Sequence, residues 1–158
     1  MIDANVDHVE SETVAYLPMR GPYAKMPQAF GTLYGWIQAN GLTPKGMPRT
    51  VYLSDPATTP QADAAWELQT TLVGEVAVRP SDASGCGVKR VEARDEAWTV
   101  YRGPYDGLGP TYGELVGWIA ANGYAIAGPP SEVYLSDPSG TAPEDYLTEV
   151  RFPVRRTP

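Results

Sequence analysis

An α+β fold made of two tandem β-α-β-β modules is predicted by three features of the sequence. The stretch RGPYAKMPQAFGTLYGWIQANG from Arg20 returns as RGPYDGLGPTYGELVGWIAANG from Arg102. A shift of about 82 positions aligns the halves without a gap, and roughly twenty of the thirty-seven positions from Arg20 to Pro56 are identical. Each half also moves from β-prone to helical hydrophobic spacing and back. Two copies are too few for an open solenoid, so a pseudo-two-fold pair in a single domain over 1–158 is expected, with repeats at about 5–74 and 87–156.

The elements follow in order within each copy. VAYLPMR from Val14 and AWTVYR from Ala97 are β-prone, and Gly21-Pro22 and Gly103-Pro104 then mark turns. Pro27 and Pro110 suit the first turn of a helix, where a missing N–H costs nothing. Phe30, Leu33, Tyr34 and Ile37 fall on one helical face, as do Tyr112, Leu115, Val116 and Ile119. Asn40-Gly41 and Asn122-Gly123 end the helices, because glycine accepts the left-handed cap conformation cheaply. Short strands follow in TVYLSDP from Thr50 and EVYLSDP from Glu132. WELQTTLV from Trp66 and TEVRFPV from Thr148 supply the last ones. VRPSDASGCGVKR reads as the connection, short enough that the copies should pack together. Helices on one face of an antiparallel sheet are the expected arrangement, with a ligand groove between the modules. Gly31 and Gly35, like Gly113 and Gly117, sit inside helices at a cost of about 1 kcal/mol each, which predicts close backbone approach.

Composition narrows the function classes. Apolar residues at 42% and charged residues at 20% belong to a soluble globular chain. A net charge of −7 argues against a nucleic-acid surface and favours cationic partners. Cys86 is the only cysteine, which excludes an internal disulfide; in its Gly/Ser loop it reads as a spare thiol. His8 is the only histidine, so a histidine triad or metal site is not expected, nor is a cofactor. Asp55 and Asp137 precede prolines and read as turn residues. With neither a leader-like start nor an apolar run of membrane-spanning length, a cytoplasmic protein without membrane contact is expected.

The candidate site residues come from strand alternation. Val51 and Leu53 should share one face with Tyr52 on the other, and Val133, Leu135 and Tyr134 repeat that pattern. If the helix covers the aliphatic face, Tyr52 and Tyr134 look into the groove and stack on a flat ligand; otherwise they pack at the module interface. Glu149 alternates with Val150, Phe152 and Val154 and so projects opposite the helix. Glu67 is its ungapped counterpart, whereas a one-residue gap would put Leu68 there. A carboxylate among rings loses hydration and gains from a cationic ligand, and each ring adds about 0.5–2 kcal/mol of cation–π attraction. The other reading pairs Glu149 with a neighbouring Lys or Arg. Tyr16 and Trp98 occupy matching strand positions, and Trp36 and Trp118 lie off the apolar helix stripe; all four either wall the groove or pack.

The ordered set of RGPY turn, W-I-x-x-N-G helix end, VYLSDP strand and closing LTEVRFPV resembles the GyrI-like family, also called the bacterial transcription activator effector-binding domain, over essentially the whole chain. The resemblance implies small molecules held between the modules, with Glu149 as the acid aimed at them. Members include effector domains of multidrug-sensing regulators, gyrase-protecting proteins and hydrolases of cyclopropane-bearing genotoxins. No helix-turn-helix pattern precedes the first module, so a stand-alone form without direct nucleic-acid binding is expected. The expected function is a receptor or sequestering protein for planar, hydrophobic, cationic compounds. A hydrolase using Glu149 with Tyr52 or Tyr134 is the alternative, and a protein-interaction role of the gyrase-modulator kind the third.

Overall fold

The computed structural model describes residues 2–158. Among the described residues there are nine strands and two helices: six strands and both helices follow the predicted order, and three short strands are additional. The first repeat holds β1 (Ala4–Val9), β2 (Glu12–Arg20), α1 (Met26–Ala39), β3 (Arg49–Tyr52) and β4 (Ala65–Thr71). The second holds β5 (Gly87–Val91), β6 (Arg94–Arg102), α2 (Gly109–Ala121), β7 (Tyr124–Ile126), β8 (Ser131–Tyr134) and β9 (Leu147–Arg156). The strands β1, β5 and β7 lack a clear sequence signal: β1 and β5 mix polar with apolar residues, β7 has only three residues, and β5 follows a Pro/Ser/Gly stretch typical of loops.

The chain divides into two compact units that do not coincide with the repeats. One is Ser11–Glu92; the other joins β1 to Ala93–Pro158. In the Ser11–Glu92 unit the strand order is β5-β2-β4-β3, all antiparallel. In the other it is β1-β6-β9-β8, also antiparallel, with β7 against the far half of β9. Equivalent strands are therefore exchanged. The leading strand β1 pairs with β6, putting His8 opposite Asp95, and β5 pairs with β2, putting Arg90 opposite Thr13.

Each helix is placed by a three-residue turn of 3-10 helix and by the expected punctuation. Pro27 and Pro110 stand in the first turn. The side chains of Asn40 and Asn122 donate back to the carbonyls of Trp36 and Trp118 at 2.8 Å, and Gly41 and Gly123 follow with φ of 67° and 82°. Under α1 the core joins Leu33 and Ile37 to Ala15, Leu17, Trp66, Leu68 and Leu72. Under α2, Leu115 and Ile119 meet Ala97, Val150, Phe152 and Val154. Val116, expected on the buried stripe, is 40% exposed.

Two expectations need correction. A Cβ added at Gly31, Gly35, Gly113 or Gly117 would meet nothing within 4 Å, so no close backbone approach explains these glycines. The face of the two VYL strands is also reversed. Residues directly opposite in a sheet share a face, and Tyr52 lies opposite Trp66, which belongs to the core beneath α1. Tyr134 lies opposite Thr148, in register with core residue Val150 two places on. Both tyrosines are on the helix-covered face, while Val51, Leu53, Val133 and Leu135 turn away from it, Leu53 at 53% exposure. Aliphatic content misleads here because polar and aromatic side chains close that end of each core.

Candidate functional site

Opposite faces of each sheet carry different chemistry. On the helix-free face, acids and rings are matched with cations of the same chain. Glu67, 7% exposed, binds the Lys89 ammonium at 2.6 Å and accepts a hydrogen bond from Gln69 Nε2 at 2.6 Å; Lys89 also lies 4.5 Å from the Tyr16 ring centroid. At equivalent positions Glu149 accepts from Arg151 Nη1 at 2.6 Å, and the same guanidinium lies 5.7 Å from the Trp98 ring centroid. Arg151 Nε binds Glu96 at 2.5 Å, Arg94 holds the other oxygen of Glu96 at 2.7 Å, and Trp98 Nε1 donates to Asp7. Burial pushes the Glu96 carboxyl up, but Arg151 and Arg94 outweigh it and hold it below the usual glutamate range.

This register settles the equivalence of Glu67 and Glu149. Val51 stands opposite the first and Val133 opposite the second, so the ungapped alignment of the repeats is the structural one. Glu149 projects away from the helix as expected, into an ion pair. Trp36 and Trp118 are partly buried at the core edges. Trp36 donates to Asp82 at 2.7 Å and has Arg79 over its ring at 5.9 Å, which pins the loop before β5 to α1.

The helix-covered face of β8 holds a different arrangement. Glu132, 8% exposed, opens the EVYLSDP strand. Tyr112 of α2 donates to Glu132 Oε2 at 2.5 Å, and Tyr134 donates to Oε1 at 3.4 Å. Around them Tyr105 meets Tyr134 edge to face at 6.0 Å and stacks on Tyr146 at 4.9 Å, while Tyr112 packs edge-on against Phe152. Burial first, then Tyr146 and Glu132, raise the Tyr105 phenol above the ordinary tyrosine value. The hydroxyl of Thr148, fully buried opposite Tyr134, has no hydrogen-bond partner among the described residues. A buried carboxylate, several phenols and a buried hydroxyl therefore cluster at one end of the core beneath α2.

The first repeat shows what the scaffold requires without this chemistry. Thr50 occupies the place of Glu132 and donates to Met26 Sδ at 3.5 Å; Phe30 stands for Tyr112, and Trp66, fully buried, for Thr148. Tyr23 then packs on Tyr52 and Trp66 at 5.6 and 6.0 Å. Strand alternation in the sequence singles out the acid of the last strand, Glu149, and not Glu132. The available signal was the departure itself, Glu for Thr at the opening of an otherwise identical VYLSDP strand. Among the described residues no His, Cys, Asp and Glu group is arranged to hold a metal ion. Cys86 is buried, and its burial raises the thiol pKa. No helix is long and apolar enough to cross a membrane.

The duplicated α+β scaffold is that of a small-molecule-binding domain. The chain belongs to the GyrI-like small molecule binding domain family, whose profile matches residues 5–73 and 65–155. No curated protein matches the sequence. Among solved structures, the EcmrR C-terminal domain is 20% identical with a TM-score of 0.82 over 99% of both chains. In the EcmrR–DNA complex the TM-score is 0.83 at 17% identity over 98% of this chain, which spans only 58% of that one. A hydrolase from Listeria innocua is 16% identical with a TM-score of 0.72, over 96% of this chain and 91% of its own. SAV2435 bound to tetraphenylphosphonium is 12% identical with a TM-score of 0.56, over 98% and 94%. At these identities the likeness is one of fold.

Proposed function

We propose that this protein binds hydrophobic, delocalised organic cations, as a multidrug-type receptor or sequestering protein, and that Glu132 is the charge that selects them. The carrying observation is a carboxylate 8% exposed, oriented by the Tyr112 hydroxyl at 2.5 Å and flanked by Tyr105, Tyr134 and Tyr146. Phenols hold the carboxylate in place while their rings offer faces to a cation. The tetraphenylphosphonium held by SAV2435 supports this class of ligand. In this reading Tyr134 keeps its place as a site residue. Glu67, Glu149, Tyr16 and Trp98 form the charged frame of the helix-free faces, while Tyr52 and Trp36 pack in the first repeat and Trp118 in the second.

Calorimetric titration with tetraphenylphosphonium tests the proposal. A unit charge about 6 Å from the carboxylate at an effective dielectric near 20 gains roughly 2–3 kcal/mol. Glu132→Gln should therefore weaken binding by roughly 30- to 150-fold. No binding by the wild type, or equal affinity in the variant, would overturn it.

A hydrolase reading has one observation in its favour: a carboxylate and phenol hydroxyls converge at Glu132, as needed to orient water and donate to a developing oxyanion. The solved hydrolase of similar fold adds support of fold alone. Incubation with a strained cyclopropane compound decides between them, since a receptor returns it unchanged.

A further inference from the structure

We propose a second ligand site of opposite charge preference in the Ser11–Glu92 unit, a cleft that takes small organic anions with an apolar body, such as aryl carboxylates. The cleft has a volume of about 630 Å³, within the range of roughly 300–1,000 Å³ usual for small-molecule sites. Lys45 and Arg90 both line it. Arg90 Nη2 donates to Ser11 Oγ at 2.8 Å, which steadies the guanidinium and leaves its other N–H groups for a bidentate acceptor. Glu12, also on the lining, is neutralised by Arg49 at 2.5 Å and accepts from the Thr71 hydroxyl. That leaves Glu75 as the further acid against the two cations. With Arg49 counted against Glu12, three cations meet two acids here, one net positive charge in a chain of net charge −7. Leu72, Val73 and Val76 add an apolar wall that would cover the body of an amphiphilic anion.

The duplication strengthens the case. The second repeat keeps the same strands and helix with Ala93 for Ser11, Arg94 for Glu12, Asp95 for Thr13 and Ala127 for Lys45, and β1 presents His8 where β5 presents Arg90. The fold therefore does not need this set of hydroxyls and cations, and their presence in one repeat asks for another explanation. A ligand carboxylate would accept from Lys45 and Arg90 while its ring lies along the valines. The inference is independent of the cation site, because none of its residues belongs to the Glu132 box.

Isotope-labelled protein titrated with benzoate, with benzamide as the neutral isostere, tests it by amide chemical shifts. Benzoate should move the amides of residues 11–13, 45, 71–76 and 90, with benzamide at least tenfold weaker and higher ionic strength weakening benzoate further. Lys45→Gln combined with Arg90→Gln should reduce benzoate affinity at least tenfold while leaving tetraphenylphosphonium binding unchanged. Shifts confined elsewhere, equal response to benzamide, or undiminished affinity in the double variant would each overturn the proposal. Both side chains are exposed, and should the variant nevertheless fail to fold, the benzoate-to-benzamide comparison on the wild type still decides.

Discussion

The Tyr112–Glu132 contact should show a coupling that the first repeat already specifies. Tyr112 donates to a carboxylate 8% exposed at 2.5 Å, and a hydrogen bond to a buried charge contributes about 1.5–3 kcal/mol. Tyr112→Phe should therefore cost about 2 kcal/mol, largely because the carboxylate loses a donor it needs. Glu132→Thr removes the acceptor and leaves the Tyr112 hydroxyl to find another partner. The double variant places in the second repeat the pair that the first repeat uses, Phe30 with Thr50, so its loss should fall below the sum of the single losses by about 1–2 kcal/mol. Urea unfolding, followed by both tryptophan fluorescence and circular dichroism to check that the transitions coincide, measures all four corners of the cycle. Additivity within about 0.5 kcal/mol would refute the claim that the phenol and the carboxylate act as one unit.

Three further outcomes are expected. Thr148→Val preserves shape and removes a buried hydroxyl without a partner, so thermal unfolding should show a neutral change or a gain of about 1 kcal/mol; a loss of that size would reveal an unseen partner for Oγ1. Gly31→Ala with Gly35→Ala fills open space on α1 and should raise stability by about 2 kcal/mol, or roughly 4–8 °C in Tm, and any fall would mean that the helix surface is contacted after all. Glu96 has a carboxyl held below its unfolded value despite burial, by Arg151 and Arg94, so its contribution is present at neutral pH and is lost as pH falls below the unfolded glutamate value towards the folded one. Glu96→Gln should cost about 3 kcal/mol at pH 7 and flatten the acid limb of stability against pH; an unchanged acid limb would assign acid sensitivity to other carboxylates.

Much of the architecture was open to reading because it rests on local rules repeated twice. Pro27 and Pro110 start helices, Asn40-Gly41 and Asn122-Gly123 stop them, and Leu33, Ile37, Leu115 and Ile119 mark the buried stripes. The reading failed where a strand's two faces are both partly apolar. In VYLSDP nothing local says whether Val51 or Tyr52 faces the helix, and choosing the aliphatic face put Tyr52 and Tyr134 on the wrong side. The same choice hid Glu132, because an acid two residues before Tyr134 shares its face.

The sequence by itself determined the duplication, the class of fold and the placing of the helices, since identity between halves and helix punctuation are properties of the chain alone. Only the tertiary structure decided which acid is embedded among rings. Helix packing brings Tyr112 to Glu132 and pairing register sets Thr148 opposite the neighbouring Tyr134, while Arg151 and Lys89 neutralise Glu149 and Glu67. It also decided the exchange of β1 and β5, because either leading strand can satisfy the backbone groups of an open sheet edge and nothing local says which edge it reaches.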